Sequence, residues 1–120
     1  MSATNKKFDL LDRTQKFAKR TRTLIGKIPK TIPNNEDVKQ LARASGSVAA
    51  NYIEANDSLS KKDFLYRIRL CRKEAKESIL FFSLLDTGDN EGCDKERIEL
   101  VREATELMKI FGSIVSKSSQ

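Results

Sequence analysis

Apolar residues recur at helical spacing in four separate segments of this 120-residue chain. In the first segment Leu10, Phe17 and Leu24 follow one another at steps of seven, and a parallel series begins at Leu11. Steps of three, four and seven residues place side chains on one face of an α-helix. No segment shows the apolar–polar alternation of a half-buried strand. The pattern therefore predicts an all-α protein.

Prolines and capping residues divide the chain into its predicted helices. Pro29 and Pro33 stop the first helix, because each ring removes a backbone donor and biases the preceding residue to extended geometry. Asn34 or Asn35 is the predicted N-cap of the second helix, and Ser60 is that of the third. The predicted helices span residues 9–28, 35–56, 61–85 and 94–117.

Four helices joined by short loops predict an antiparallel up-down four-helix bundle that forms a single domain, residues 1–120. The second helix is rich in small residues between Ala42 and Ala50, which we interpret as room for a neighbouring helix backbone. No signal peptide, transit peptide or apolar run near eighteen residues is present. Together with only two cysteines, this predicts a cytoplasmic protein with reduced thiols and no membrane contact.

The residue types that carry most acid–base and metal chemistry are missing. The chain has no histidine, and Cys71 and Cys93 are too isolated for a zinc site. The acidic loop before the fourth helix lacks the ligand spacing of an EF-hand, and the scattered glycines form no phosphate-binding loop. We expect Glu54, Glu74 and Glu77 to pair with Arg or Lys across helices or subunits. We therefore expect no catalytic residue, no metal and no cofactor.

Two stripes of basic residues are the main candidates for function. Residues 1–33 carry nine Lys or Arg against two Asp or Glu, and residues 58–85 carry seven against three, whereas the rest of the chain is net acidic. The first stripe consists of Arg13, Lys16, Arg20 and Lys27; the second consists of Lys62, Arg69, Lys73 and Lys76 with Tyr66, to which Arg72 is added. Helical spacing places each stripe on one helix face, which suits phosphate groups, with the tyrosine available for stacking.

Several functions fit these residues. The leading hypothesis is an oligomeric protein that binds the phosphate backbone of nucleic acid, structured RNA above all. Ordinary solvated helix faces, whose cations form ion pairs, would produce the same pattern. A rival hypothesis is an interaction adaptor whose basic faces bind an acidic protein, and a metal-dependent or hydrolytic enzyme is the third. Oligomerisation is expected because helices three and four carry more apolar surface than one small bundle needs.

Three short motifs make the chain recognisable. They are Ala50-Asn51-Tyr52-x-Glu54-Ala55, Ser60-x-Lys62-Asp63-Phe64 and Lys73-Glu74-Ala75-x-Glu77-Ser78. With them, nearly the whole chain resembles the four-helix-bundle family first known from proteins encoded in intervening sequences of bacterial large-subunit ribosomal RNA genes. Leu80 departs from the family pattern, which commonly has an aromatic residue at that position.

The resemblance implies a left-handed antiparallel bundle that assembles into a ring, typically a homopentamer, with no established enzymatic activity. A related branch looks like the accessory protein of diversity-generating retroelements, a basic pentamer that binds nucleic acid and a reverse transcriptase. The resemblance also implies that Asn51, Glu54, Glu74 and Glu77 are signature positions, structural rather than catalytic. The expected partners are thus further copies of the chain and structured RNA or another nucleic acid.

Overall fold

The computed structural model describes the backbone of residues 4–118 and the side chains of residues 10–118. It contains four α-helices: α1 (Thr4–Ile25), α2 (Ile32–Asn56), α3 (Lys61–Leu84) and α4 (Glu91–Ser118). Each helix packs on the next one along the chain, and α4 returns to α1. The diagonal pairs meet across the core, where rings of α1 and α3 and rings of α2 and α4 make contact. The chain is an antiparallel up-down four-helix bundle, as the sequence predicted.

The ends of α1 differ from the prediction. The helix stops before residue 28, because the backbone tightens into single turns in which the N–H groups of Lys27 and Ile28 donate to the carbonyls of Leu24 and Ile25 (2.9 and 3.1 Å). Ile28 is still buried, so the apolar pattern outlasts the helix. The helix also begins earlier than the predicted residue 9. Phe8 belongs to that early stretch and lies outside the described side chains.

The start of α2 was predicted at the wrong residue. Thr31, rather than Asn34 or Asn35, is the N-cap, and its hydroxyl accepts a hydrogen bond from the N–H of Asn34 at 3.2 Å. Pro33 fits in the first turn, where the helix needs no N–H donor. The Asn34 side chain is buried instead: its amide donates to the carbonyl of Asp86 at 2.8 Å, and its oxygen accepts from the N–H of Asp86 at 3.0 Å. Its amide also donates to the carbonyl of Pro29 at 2.9 Å, so this asparagine joins the loop before α2 to the loop after α3.

Side-chain caps start the last two helices. The Ser60 hydroxyl accepts from the N–H of Asp63 at 3.1 Å, which confirms the predicted cap of α3. This helix ends one residue short of the predicted residue 85. The Asn90 side chain accepts from the N–H of Cys93 at 2.9 Å, so α4 begins three residues earlier than predicted.

The core between the helices is apolar, and its buried threonines are hydrogen-bonded, whereas Nδ2 of Asn56 is a buried polar atom without a partner among the described residues. Its largest fully buried apolar side chains are Phe17, Phe82, Phe111, Leu24, Leu41, Ile68, Leu100, Leu107 and Val48. The buried hydroxyls of Thr14 and Thr21 each donate to the carbonyl four residues earlier, both at 2.7 Å. Burial raises the pKa of Cys71 to about 12, which keeps it a thiol. None of the described helices combines the length and the apolarity that crossing a bilayer requires.

Candidate nucleic-acid interface

The stripe on α1 lies against carboxylates of α4. Arg13 donates through Nε and Nη2 to the two carboxylate oxygens of Glu103, at 3.1 and 2.7 Å. Arg20 Nη2 donates to Glu96 at 2.6 Å and to Glu99 at 3.1 Å. The hydrogen bond to Glu96 is the main reason why the pKa of Arg20 is raised. These contacts neutralise the two arginines within the chain and leave them poorly suited to phosphate groups.

The two lysines of the same stripe differ from each other. Lys16 Nζ lies 2.9 Å from Asp12, four residues earlier, and both side chains are largely exposed. Such a pair holds its lysine only weakly. Lys27 is exposed beyond the end of α1 and forms no ion pair with any described side chain. Of the stripe on α1, therefore, only the two lysines keep a positive charge that a ligand could use.

The stripe on α3 faces outward along the first two thirds of the helix. Lys62, Tyr66, Arg69, Lys73 and Lys76 are all exposed and follow one another at steps of four, three, four and three residues. We call these five residues the α3 basic face. Its first and last members are fourteen residues apart, which spans about 21 Å along the helix axis. The face is thus a straight row of cations with one aromatic ring in it.

The carboxylates beside the α3 basic face are held from the other side. Arg43 of α2 donates to Glu74 at 3.2 Å and to Glu77 at 2.8 Å, which confirms that these two carboxylates form ion pairs. Burial alone would lower the pKa of Arg43, but the two carboxylates outweigh it and raise the pKa. Lys73 reaches Glu77 only at 3.9 Å. Glu54 is exposed and pairs with no described side chain, so its partner in another subunit stays a prediction.

The other cations of the α3 basic face are unpaired in the part of the chain that the structure describes. Lys62, Arg69 and Lys76 make no hydrogen bond or ion pair there. Arg72 is exposed at the α4 edge of the helix, where its guanidinium lies beside Gly112. The structure therefore brings together the second stripe as a surface, and the sequence placed its residues on the correct face.

Arg67 is a neighbour of this surface that the sequence analysis missed. Its guanidinium carbon lies 5.7 Å from the centroid of the Tyr66 ring. Arg67 Nη1 also donates to Asn51 Oδ1 at 3.1 Å, and the Asn51 amide donates to the carbonyl of Ser47 at 2.9 Å. The arginine lies off the outward stripe, so helical spacing did not select it. Its position next to the only exposed tyrosine in the described chain was the available signal.

Two cations of α4 were also missed. Arg102 and Lys109 are exposed, seven residues apart, and unpaired among the described side chains. They lie in a segment whose net charge is negative, which hid them. Three of the acids in that segment, however, face α1 as partners of its arginines: Glu96, Glu99 and Glu103. Counting charge by segment therefore concealed that α4 carries exposed, unpaired cations as well as the acids that pair with α1.

A large concavity at one end of the bundle is the alternative to this surface. It has a volume of about 990 Å³ and lies at the end of the bundle where α3 begins and α4 ends. Its apolar lining includes Leu10, Tyr52, Phe64, Ile110 and Ile114. Its described lining contains two lysines but no carboxylate or thiol, and no described group of His, Cys, Asp or Glu could hold a metal ion. The α3 basic face is the stronger candidate site.

No protein-family model matches this chain, and no curated protein does. A solved structure is similar: a protein with unknown function from the S23 ribosomal protein family of Bacteroides thetaiotaomicron. The two share a TM-score of 0.74 and 24% sequence identity over 88% of this chain and 97% of that one. At this identity the likeness shows the fold alone, and it agrees with the four-helix bundle described above.

Proposed function

We propose that this protein is a non-enzymatic, cytoplasmic homo-oligomer that binds nucleic acid, RNA above all, through the α3 basic face. One observation carries the proposal: Lys62, Arg69 and Lys76 project from one exposed helix face without a described carboxylate to neutralise them. Cations that are free in the folded chain can release the counterions of a phosphate backbone. Cations already held by carboxylates gain much less from that exchange.

We also propose that the chain belongs to the intervening-sequence family that its motifs resemble. The structural likeness to a member of the S23 ribosomal protein family is compatible with this assignment. Assembly into a ring, typically a pentamer, is the expectation that comes with the family. Exposed Leu80, Leu84 and Ile98, each more than half accessible, offer apolar surface for contacts between copies. A ring would repeat the α3 basic face and add weak phosphate contacts through multivalency.

Titration of a labelled RNA at two salt concentrations tests the binding. With about four phosphate contacts per subunit, we expect the affinity to fall about 50-fold or more between about 50 and 200 mM salt. Reversing three charges of the face, Lys62→Glu, Arg69→Glu and Lys76→Glu, should lower the affinity more than about 100-fold and remove most of the salt dependence. Undetectable binding of the unmodified protein at low salt would contradict the proposal.

A matched control separates the surface from the overall charge. Lys19→Glu, Lys30→Glu and Lys95→Glu change exposed residues on other parts of the bundle. Each triple variant changes the formal charge by three times −2, from +6 to zero. We expect the control to keep its affinity within about fivefold at physiological salt, where distant charges are screened. Equal losses in both triples would rule out a localised site.

A second experiment distinguishes nucleic-acid binding from the adaptor hypothesis. The protein is captured from cell extract with and without nuclease treatment, and co-purifying molecules are compared. Loss of partners after digestion supports nucleic-acid binding, whereas an acidic protein retained on the α3 basic face after digestion supports the adaptor. The mass of the purified protein, measured by light scattering, tests the oligomer: a well-behaved monomer at micromolar concentration would refute it.

A further inference from the structure

The aromatic ring within the α3 basic face is in contact with a cation of the same helix. Tyr66 is 57% exposed and has Lys62 one turn before it and Arg69 one turn after it. The guanidinium of Arg67 covers one side of the ring at 5.7 Å from the centroid. A cation over the face of a tyrosine attracts the ring and restricts its motion. One side of the ring is therefore occupied from within the protein.

The arginine that covers the ring is itself fixed by α2. Arg67 is half-buried, and its Nη1 donates to Asn51 Oδ1 at 3.1 Å. The Asn51 amide in turn donates to the carbonyl of Ser47 at 2.9 Å, which fixes the direction of the Asn51 oxygen. The chain of contacts from Ser47 to Tyr66 thus restricts an exposed ring before any ligand arrives. Ordering in advance lowers the entropic cost of binding.

An exposed aromatic ring in a row of cations suits single-stranded nucleic acid better than a duplex. In a duplex the bases are stacked on one another, so a helix lying along the backbone meets phosphates and sugars, not base faces. An unpaired base can stack on an aromatic ring while the phosphates on either side meet lysine and arginine. The cations on either side of Tyr66, at three and four residues, lie about 5 to 6 Å away along the helix axis.

We propose, building on the function proposed above, that the α3 basic face binds single-stranded nucleic acid and that Tyr66 stacks on an unpaired base. The base occupies the side of the ring that Arg67 leaves uncovered. Lys62 and Arg69 bind the phosphates on either side. Arg67 and Asn51 are positioning residues that hold the ring. No base identity is read, because stacking tolerates every base.

The test compares a single-stranded RNA with a fully paired duplex hairpin of equal nucleotide number, whose strands are joined by a non-nucleotide linker, with both titrated against the full chain. We expect Tyr66→Ala to weaken binding of the single strand about tenfold and binding of the hairpin less than twofold. Tyr66→Phe keeps the ring and should retain the affinity within about twofold. Asn51→Ala should show a smaller loss than Tyr66→Ala, again on the single strand only.

Tyrosine fluorescence supplies a readout that a merely structural role would not change. The chain has no tryptophan and only two tyrosines, and the other one, Tyr52, is buried. Stacking should quench the emission of Tyr66 when single strand is added, and the quenching should disappear in Tyr66→Phe. Quenching by the single strand but not by the hairpin supports the inference.

Three results would overturn it while leaving the proposed function intact. They are equal losses of Tyr66→Ala on single strand and hairpin, unchanged tyrosine emission on binding, and a changed oligomer mass of Tyr66→Ala, which would place the ring between copies. Failure of the proposed function looks different: the unmodified protein binds neither RNA, or the triple reversal of Lys62, Arg69 and Lys76 has no effect.

Discussion

The stripes on α1 and α3 have the same sequence pattern and different surroundings. Both place cations at helical spacing on one face of their helix. On α1 the arginines lie against α4, where Arg13 and Arg20 bind three carboxylates. On α3 the cations face solvent, and the nearest carboxylates are drawn toward Arg43 of α2. Helical spacing alone therefore does not show whether the charge of a basic stripe is available, because carboxylates of a neighbouring helix can already pair with it.

This difference assigns opposite roles to arginines of similar appearance. Arg13 holds two helices together through a two-pronged, partly buried ion pair, with the side chains of Arg13 and Glu103 25% and 23% exposed. Arg69 holds nothing within the described chain and has Lys73 one turn away. Removing the first should cost stability, whereas removing the second should cost affinity for nucleic acid.

The largest expected effect comes from reversing the charge of Arg13. Arg13→Glu loses the ion pair and places a second carboxylate beside Glu103, so we expect the free energy of unfolding to fall by about 2 kcal/mol. This lies between the values typical of buried and exposed pairs, because the side chains are partly buried. Arg69→Glu should change it by less than about 0.5 kcal/mol, since it also removes repulsion by Lys73. Urea unfolding at one fixed protein concentration measures both.

A charge swap provides the control for this prediction. In the double variant Arg13→Glu with Glu103→Arg the pair is restored with its direction reversed, and we expect at least half of the lost stability to return. Binding should show the opposite order: RNA affinity is retained in Arg13→Glu and falls about tenfold in Arg69→Glu. If both arginines destabilise the fold equally, the distinction between the two stripes is lost.

The fold could be predicted because the buried side chains of a helix recur at regular intervals in the sequence. Leu10, Phe17 and Leu24 repeat along α1 because each occupies the core, and the same holds along the other helices. The first and last residues of the helices were harder to predict, because a polar side chain that could cap a helix can instead form hydrogen bonds elsewhere in the fold. Thr31 caps α2, while Asn34 is engaged with Asp86 across two loops, a contact between residues 52 positions apart.

The small residues of α2 show a second limit of sequence reasoning. Val48 is fully buried, and the Cys71 thiol approaches its carbonyl at 3.6 Å, so part of this stretch admits α3 closely. Gly46, however, is covered by a side chain from α1: a Cβ there would lie 2.9 Å from Nη2 of Arg22. The same guanidinium donates to the carbonyl of Ala42 at 3.1 Å. The small residues of α2 indicated that another group approaches its backbone closely. They did not indicate whether that group is a neighbouring helix or the side chain of an arginine.

The candidate site was predictable in its residues but not in its charge balance. Helical spacing was sufficient to place the cations of α3 on one face. It could not reveal that Arg13 meets Glu103, ninety positions away, or that Arg20 meets Glu96, 76 positions away. At Glu77 the expected pairing across helices is observed, because its shorter contact is with Arg43 of α2 and not with Lys73 of its own helix. Neutralisation is a property of tertiary packing.

An intermediate effect on RNA affinity is expected when Arg20 of the α1 stripe is freed from its carboxylate partners. Glu96→Gln with Glu99→Gln removes both charges that hold Arg20, so its guanidinium becomes available to phosphate. We expect the affinity for RNA to rise three- to tenfold, about 1 kcal/mol, and the salt dependence to steepen by about one contact. Titration at several salt concentrations measures both quantities.

The matched control for this release is Glu91→Gln with Glu106→Gln. These two exposed carboxylates pair with no described side chain, and their removal changes the net charge by the same +2. We expect less than a twofold gain in affinity from the control. An equal gain in both variants would mean that overall charge governs binding, and the comparison of the two stripes would lose its meaning.

The smallest effect is expected at Lys16, the member of the α1 stripe whose partner lies on its own helix. Lys16 and Asp12 are 70% and 61% exposed at a separation of one turn. A double-mutant cycle with Lys16→Ala and Asp12→Ala should give a coupling free energy of about 0.3 to 0.5 kcal/mol. High salt should reduce this coupling free energy further, because water and ions screen so exposed a pair.

A coupling above about 1 kcal/mol would place Lys16 with the arginines as a structural residue. A small coupling free energy would mean that Lys16 can exchange Asp12 for a phosphate group. The cations of the α1 stripe would then divide by their partners: those paired with α4 are structural, and those without a partner on α4 are available to a ligand.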